Sequence, residues 1–340
     1  MPKTIRNKYD EKLTYENLMK SHIESRKNKS TKKDIILFNL KQEEYIRYLY
    51  DELKNLTYRH GGYYVFYVHE PKLRKIQKSK YIDRIVHRWV VDNFLYDAFI
   101  PQFITTTYAC IKDRGMHKAC VDVKKAMVHC KNIWNEYYIL KMDVKKYFQS
   151  INKKKLLEII SRKIKDKKVI WLLNEIIFSE GNEVGIEIGN YTSQIFANIY
   201  LNEVDQYIKH KLKIKYYYRY MDDSVIFVKT KEEANNTLKQ IRKFLKDELY
   251  LELNQKTQIF KNKQGVNFCG YKINEYRIKI RDKGKKKLKK KIRKLKGKIK
   301  AGIITSKQAQ KYICGHLGYI KYANIYNLCN KVFYIKDEFN

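Results

Sequence analysis

Two short apolar segments that end in carboxylates, set roughly 80 residues apart, constrain this chain more than any other feature of it. The first, Tyr138-Ile139-Leu140-Lys141-Met142-Asp143, reads as a short strand closing on an aspartate. The second is a pair of apolar stretches, Ile214–Tyr218 and Val225–Val228, joined through Tyr220-Met221-Asp222-Asp223. It reads as a β-hairpin with two carboxylates at its tip. Adjacent aspartates are ordinary in turns, where Asp suits the backbone. At a tip between apolar strands they repel each other unless a cation intervenes. A pair of Mg²⁺ ions about 3.5–4 Å apart stabilises the attacking and leaving oxygens of phosphoryl transfer. Mg²⁺ typically takes one or two carboxylates plus substrate phosphates. A few aspartates at the ends of short, rigid elements suit that chemistry.

The surrounding pattern is α+β. The first ~65 residues read as helical and charged, followed by a β-rich patch, Tyr63–Val68, that ends at Pro71. Ile82 to Ala98 reads as a helix stopped by Pro101. Further helices are expected over Lys153–Ile164 and from Thr192 to about Lys211, where Ile195, Ile199, Val204 and Ile208 fall near helical spacing. With three prolines, thirteen glycines and no Gly/Ser/Pro linker, subdomains should interleave. Between Lys279 and Lys300 stand fourteen Lys/Arg and one acidic residue, with Leu288, Ile292, Leu295 and Ile299 at steps of four, three and four. That is a helix with a narrow apolar seam and an otherwise cationic surface. A solvated charged helix is the plainer reading, but solubility does not require so one-sided a charge.

Lys and Arg outnumber Asp and Glu by 73 to 36, a formal net charge of +37. Such an excess points to a polyanionic partner, although a Lys-, Asn-, Ile- and Tyr-rich composition also marks AT-rich genomes. With 44% hydrophobic residues the chain can bury a core and is not disordered. The six cysteines, Cys110, Cys120, Cys130, Cys269, Cys314 and Cys329, form no CxxC pair and read as free thiols in a reducing compartment. The charged N-terminus has no signal-peptide core and no apolar run reaches membrane-spanning length. A soluble cytoplasmic protein without membrane contact is expected.

The Tyr-Met-Asp-Asp hairpin following Asp143-Val144-Lys145-Lys146-Tyr147-Phe148 resembles the paired catalytic signature of reverse transcriptases. The resemblance implies a right-hand polymerase with a small antiparallel palm sheet backed by helices and a helical basic thumb. Fingers would span 1–135, interleaved with a palm over 136–275, and a short basic thumb 276–340. It also implies that Asp143 and Asp222 bridge two Mg²⁺ ions, with Mn²⁺ as a substitute and the Val144 carbonyl and Asp223 as further ligands. Phe148 falls where an aromatic ring crowds the 2′ carbon of the nucleotide, though a plain core aromatic fits as well. Glu70-Pro71-Lys72-Leu73-Arg74-Lys75 with Tyr81–Val86 resembles the fingers motif that grips the triphosphate, making Lys72 and Arg74 nucleotide-binding candidates. Tyr108-Ala109-Cys110 and Gly115-Met116-His117-Lys118-Ala119 match the next fingers motif. Leu253–Thr257 resembles the segment whose lysine, here Lys256, nears the leaving pyrophosphate; an ordinary surface lysine is the alternative. Asn267-Phe268-Cys269-Gly270-Tyr271 resembles the turn that grips the primer, so Phe268, Gly270 and Tyr271 join Tyr220 and Met221 as primer–template candidates. Lys286, Lys290 and Arg293 of the thumb would track the duplex backbone.

One stretch narrows the resemblance. In Gly185-Ile186-Glu187-Ile188-Gly189-Asn190-Tyr191-Thr192-Ser193-Gln194, Ile188 and Gln194 stand where most reverse transcriptases carry Gln and Pro. That pattern, like Gly315-His316-Leu317-Gly318-Tyr319, is similar to the bacterial and phage-encoded enzymes of diversity-generating retroelements. They copy a template-repeat RNA into cDNA, misincorporate opposite adenine, and work with a small basic accessory variability protein. Gly189 would let the backbone approach the nucleotide, and Ile188 removes a hydrogen-bonding contact. Glu187 replaces a usual Pro, Cys269 a usual Leu, and Ser224 a larger apolar residue. Those departures bear on the subgroup. Two alternatives stay open: a phage-defence reverse transcriptase copying a non-coding RNA, and a non-catalytic RNA-binding protein on a polymerase scaffold. No RNase H, endonuclease or maturase domain is expected after the thumb.

Overall fold

Residues 1–105, 144–213 and 239–255 assemble one unit and 106–143, 214–238 and 256–340 the other, so the chain passes between them five times. The computed structural model describes residues 4–69 and 73–328. Glu70, Pro71, Lys72 and Cys329 lie outside the described residues, as do the side chains of His316, Leu317 and Tyr319.

The first unit is mainly helical. Thr14 caps helix Tyr15–Arg26 by accepting from the Asn17 amide at 3.2 Å. Helix Gln42–Lys54 buries Ile46, Leu49 and Leu53, three residues at helical spacing. Helix Tyr81–Val90 runs through a π-helical turn, Val91–Leu95, into Tyr96–Phe99. Pro101 sits in the 3₁₀ turn that ends it, where its missing N–H costs nothing. Strands β1 (Tyr63–Val68) and β2 (Arg74–Ser79) pair antiparallel, from Tyr63↔Ser79 to Val68↔Arg74. Helix Tyr191–Gln206 is buried on almost every side and continues as a π turn to Lys211.

The second unit carries β3 (Tyr138–Asp143), β4 (Tyr216–Tyr220), β5 (Asp223–Val228) and β6 (Gln258–Lys261) in one antiparallel sheet ordered β4-β5-β3-β6. A second sheet joins β7 (Val266–Phe268), β8 (Tyr271–Ile273) and β9 (Ile278–Ile280). Helix Met116–Trp134 turns Ala119, Cys120, Val123, Ala126, Met127 and Cys130 inward, a stripe at helical spacing. It shares a core with Ile139, Tyr216, Tyr218, Val225, Phe227, Phe268 and Tyr271. The basic helix, Asp282–Lys300, buries Leu288, Ile292 and Leu295, and the first two share a small separate core with Ile280 and Ile320. Burying each such side chain stabilises by roughly 1.5–3 kcal/mol. Ile299 is 36% exposed, so the seam ends one turn earlier than its spacing predicts.

Candidate active site

Strand register brings the carboxylates together. Asp143 of β3 lies directly across from Asp223 of β5, and Asp223 across from Tyr220 of β4. Residues opposed in an antiparallel pair have Cα atoms about 4.5–5.5 Å apart and side chains on the same face. Met221 and Asp222 form the two-residue turn between β4 and β5. Met221 has φ 53°, a left-handed conformation that costs an L-residue about 1–2 kcal/mol. Arg219 holds it there. Its guanidinium, 1% exposed, donates from Nη1 to the Met221 carbonyl at 3.1 Å. The Arg219 main chain is itself fixed, its amide donating to Thr106 O at 2.9 Å and its carbonyl accepting from Tyr108 N at 3.1 Å.

Alternation along β3 puts Ile139, Lys141 and Asp143 on one face, opposite Phe227, Val225 and Asp223. Lys141 is therefore aimed along the carboxylate row. Its side chain, 15% exposed, forms an ion pair with Asp223, and its ammonium lies 5.2 Å from the Phe268 ring centroid. Burial pulls the Lys141 ammonium down to about 8, while Cys269, Asp143 and Asp222 draw it the other way. Among the described residues no three His, Cys, Asp or Glu side chains are grouped so as to hold a metal ion by themselves. The donor set still suits Mg²⁺, which fills much of its shell with water and phosphate oxygens. Two opposed carboxylates and a third one residue away are hard oxygen donors, and a lysine cation already occupies part of their field.

The nearby turn is also strained in a defined way. Phe268 pairs with Tyr271 across a two-residue loop in which Cys269 has φ 48° and Gly270 φ 85°. Two positive φ values in succession are what a type I′ hairpin requires. Cys120 Sγ donates to the Phe268 carbonyl at 3.8 Å, and the Tyr271 hydroxyl bonds His117 Nδ1 at 3.2 Å. Lys256 is exposed just before β6. Lys286, Lys290 and Arg293 are exposed at steps of four and three, on the side of the basic helix opposite its buried seam.

Arg74, Val144, Phe148, Ile188, Gly189 and Gln194 belong to the other unit. Arg74 is exposed at the start of β2, and Phe148 is half-buried with its carbonyl accepting from Ile186 N at 2.8 Å. Val144 bridges to Leu253 through its main chain. The Ile188–Asn190 loop is stitched onto β2. Ile188 O accepts from Gln77 N at 2.9 Å, and Asn190 Oδ1 accepts from Ser79 N at 3.0 Å and Ser79 Oγ at 2.8 Å. Buried Glu187 accepts from Ser193 Oγ at 2.7 Å and Asn190 Nδ2 at 3.1 Å; burial pushes its carboxyl up, and these donors hold it down. Gly189 has φ 136°, and a Cβ there would meet Ile76 Cγ2 at 3.0 Å and Gln77 O at 3.3 Å. The close packing against β2 is thus a sufficient reason for glycine, separate from any approach of a nucleotide. Gly189 and Gln194 line a pocket of about 240 Å³ whose wall also carries Lys29, Arg84, His87 and Arg88.

Sequence reasoning passed over Lys141, Arg219 and Asn190. A lysine or arginine in an alternating strand normally marks the solvent side; only the carboxylates two residues away hinted at Lys141.

Comparison with known proteins agrees with this architecture. The family described as reverse transcriptase (RNA-dependent DNA polymerase) matches residues 69–273. Protein YkfC of Escherichia coli K12 is 26% identical over 243 residues, covering 59% of this chain and 63% of that protein. The group II intron-encoded protein LtrA of Lactococcus lactis subsp. cremoris is 23% identical over 309 residues, covering 69% of this chain and 50% of that protein. The chain therefore spans less than two thirds of either relative. Apo telomerase from Candida tropicalis shares the fold with a TM-score of 0.51 at 12% identity, over 65% of this chain and 49% of that one. No described helix is long and apolar enough to cross a membrane. With the family's signature spread over more than half its length, the chain belongs to the reverse transcriptase (RNA-dependent DNA polymerase) family.

Proposed function

We propose that this chain is an RNA-directed DNA polymerase that copies a dedicated RNA into cDNA from deoxynucleoside triphosphates, as the error-prone enzyme of a diversity-generating retroelement does. The observation that carries the polymerase reading is the register that sets Asp143 opposite Asp223 beside the Asp222 turn. In this reading the fingers lie within 1–135, the palm within 136–275 and the thumb within 276–340. Asp143 and Asp222, with the Val144 carbonyl, would hold Mg²⁺ or Mn²⁺, which when bound stabilises charge on the primer 3′-oxygen and the leaving pyrophosphate. Lys72 and Arg74 bind the triphosphate, and Lys256 faces the pyrophosphate. Phe148 excludes a 2′-hydroxyl. Tyr220, Met221, Phe268, Gly270 and Tyr271 hold the primer end, and Lys286, Lys290 and Arg293 contact backbone phosphates. Ile188 and Gln194 support the retroelement reading, with a small basic protein as partner.

The test is primer extension on an RNA template with purified protein, Mg²⁺ and four deoxynucleotides, alone and with any small basic protein that the native locus encodes. Asp222→Ala should abolish extension; extension that survives the substitution overturns the polymerase reading. Sequencing the cDNA from the native locus tests the subgroup. Errors concentrated opposite template adenine support it, and errors spread over all four bases remove it while leaving the polymerase intact.

A further inference from the structure

Three carboxylates within the width of two strands carry a like-charge penalty whenever no metal is present. Lys141 is placed to relieve it. It pairs in register with Val225 and so stands diagonal to Asp223, a separation a long side chain spans. Its side chain is 15% exposed and lies on the face of β3 that it shares with Ile139, across from Val225. Its ammonium meets Asp223 on one side and the Phe268 ring on the other. The ion pair and the ring face are thus two contacts that a cation makes and a neutral side chain of the same length would not.

We propose that Lys141 is a positioning residue, a resident cation that takes Asp223 out of the metal-ligand set and ties the carboxylate tip to the Phe268 turn. The inference rests on the polymerase reading only in supposing that a divalent ion binds there. It assigns metal ligation to Asp143 and Asp222 and gives Asp223 to the lysine. Removing the ammonium then has two consequences. Asp223 loses its ion-pair partner beside the other carboxylates in chelator, and divalent ions meet one fewer competing charge.

Full-length Lys141→Met, Asp223→Asn, Asp143→Asn and the Lys141→Met/Asp223→Asn double variant are compared by thermal unfolding in EDTA and in Mg²⁺, and by Mn²⁺ titration followed by electron paramagnetic resonance. Lys141→Met should melt lower than the parent in EDTA and regain most of the loss in Mg²⁺. It should bind Mn²⁺ about tenfold more tightly, because a unit charge at contact distance has gone. Asp223→Asn should restore the melting temperature of Lys141→Met and weaken Mn²⁺ binding far less than Asp143→Asn. If Lys141→Met does not fold, a folded double variant supports the pairing and an unfolded one overturns it. Unchanged Mn²⁺ affinity in Lys141→Met, or Asp223→Asn as damaging to Mn²⁺ binding as Asp143→Asn, also overturns it. None of these readouts requires primer extension, so failure here and failure of the polymerase reading are separable.

Discussion

Replacing Gly189 by alanine separates two reasons for a glycine before the buried helix. The backbone there has φ 136°, a region costing a residue with a side chain about 1–3 kcal/mol. The new methyl would sit 3.0 Å from Ile76 Cγ2 and 3.3 Å from the Gln77 carbonyl. The isoleucine can turn. The carbonyl cannot, because it accepts from Asn190 Nδ2 at 3.2 Å within the β2 junction. Overpacking of this kind adds about 1–3 kcal/mol. The sum, about 2–6 kcal/mol, corresponds to a melting temperature lower by roughly 4–24 °C for a unit of this size. Circular dichroism melts of Gly189→Ala, Ile76→Ala and the double variant supply the assay. The double variant should be more stable than additivity predicts by about 1 kcal/mol, since the mobile part of the clash has been removed. A Gly189→Ala protein that melts normally yet cannot extend a primer would refute the packing argument and return the glycine to the nucleotide.

Three further outcomes are expected. Ile188→Gln should lower misincorporation opposite template adenine by roughly ten- to two-hundred-fold, the worth of about 1–3 kcal/mol of contact energy, read by sequencing the cDNA. Lys286→Gln/Lys290→Gln/Arg293→Gln should flatten the dependence of log affinity on log salt for an RNA–DNA duplex by roughly 2–3 in slope, read by fluorescence anisotropy. Burial holds His87 down to about 3 and His22 down to about 4, below their unfolded values near 6.5. The unfolded chain therefore takes up protons first, so stability present above pH 6.5 is lost as pH falls towards 4. Melting temperature should drop between pH 6.5 and 5, and His87→Gln should shrink that drop.

Much of the site was legible because its chemistry is local in sequence. Tyr138–Asp143 forms the strand that its short apolar run predicts, and the Asp222/Asp223 hairpin closes where the apolar runs break. The long helix ending near Pro101 and the basic helix with its seam follow from periods of 3.6 and one stop signal. What the sequence hid depends on non-local pairing. Strands β7, β8 and β9 are three residues each, too short to show a period. Helix Met116–Trp134 buries cysteines and alanines, so its inward stripe is faint. Lys141 and Arg219 look like solvent-facing residues until the register places carboxylates and a turn carbonyl against them. Glu187 read as a departure from the family's proline; in three dimensions it is the acceptor that locks Ser193 and Asn190.

Five passages of the chain between the two units mean that neither can be finished early. The last stretch of the first unit, 239–255, leaves the ribosome after almost all of the sheet that bears the carboxylates, and β6 follows later still. During synthesis the N-terminal helices and the bare β4–β5 hairpin must wait with apolar faces uncovered, the condition in which nascent chains aggregate. A cut at 238 takes 239–255 from the first unit and 256–340 from the second at once, so stable halves should come from recombining fragments rather than from shortening the gene.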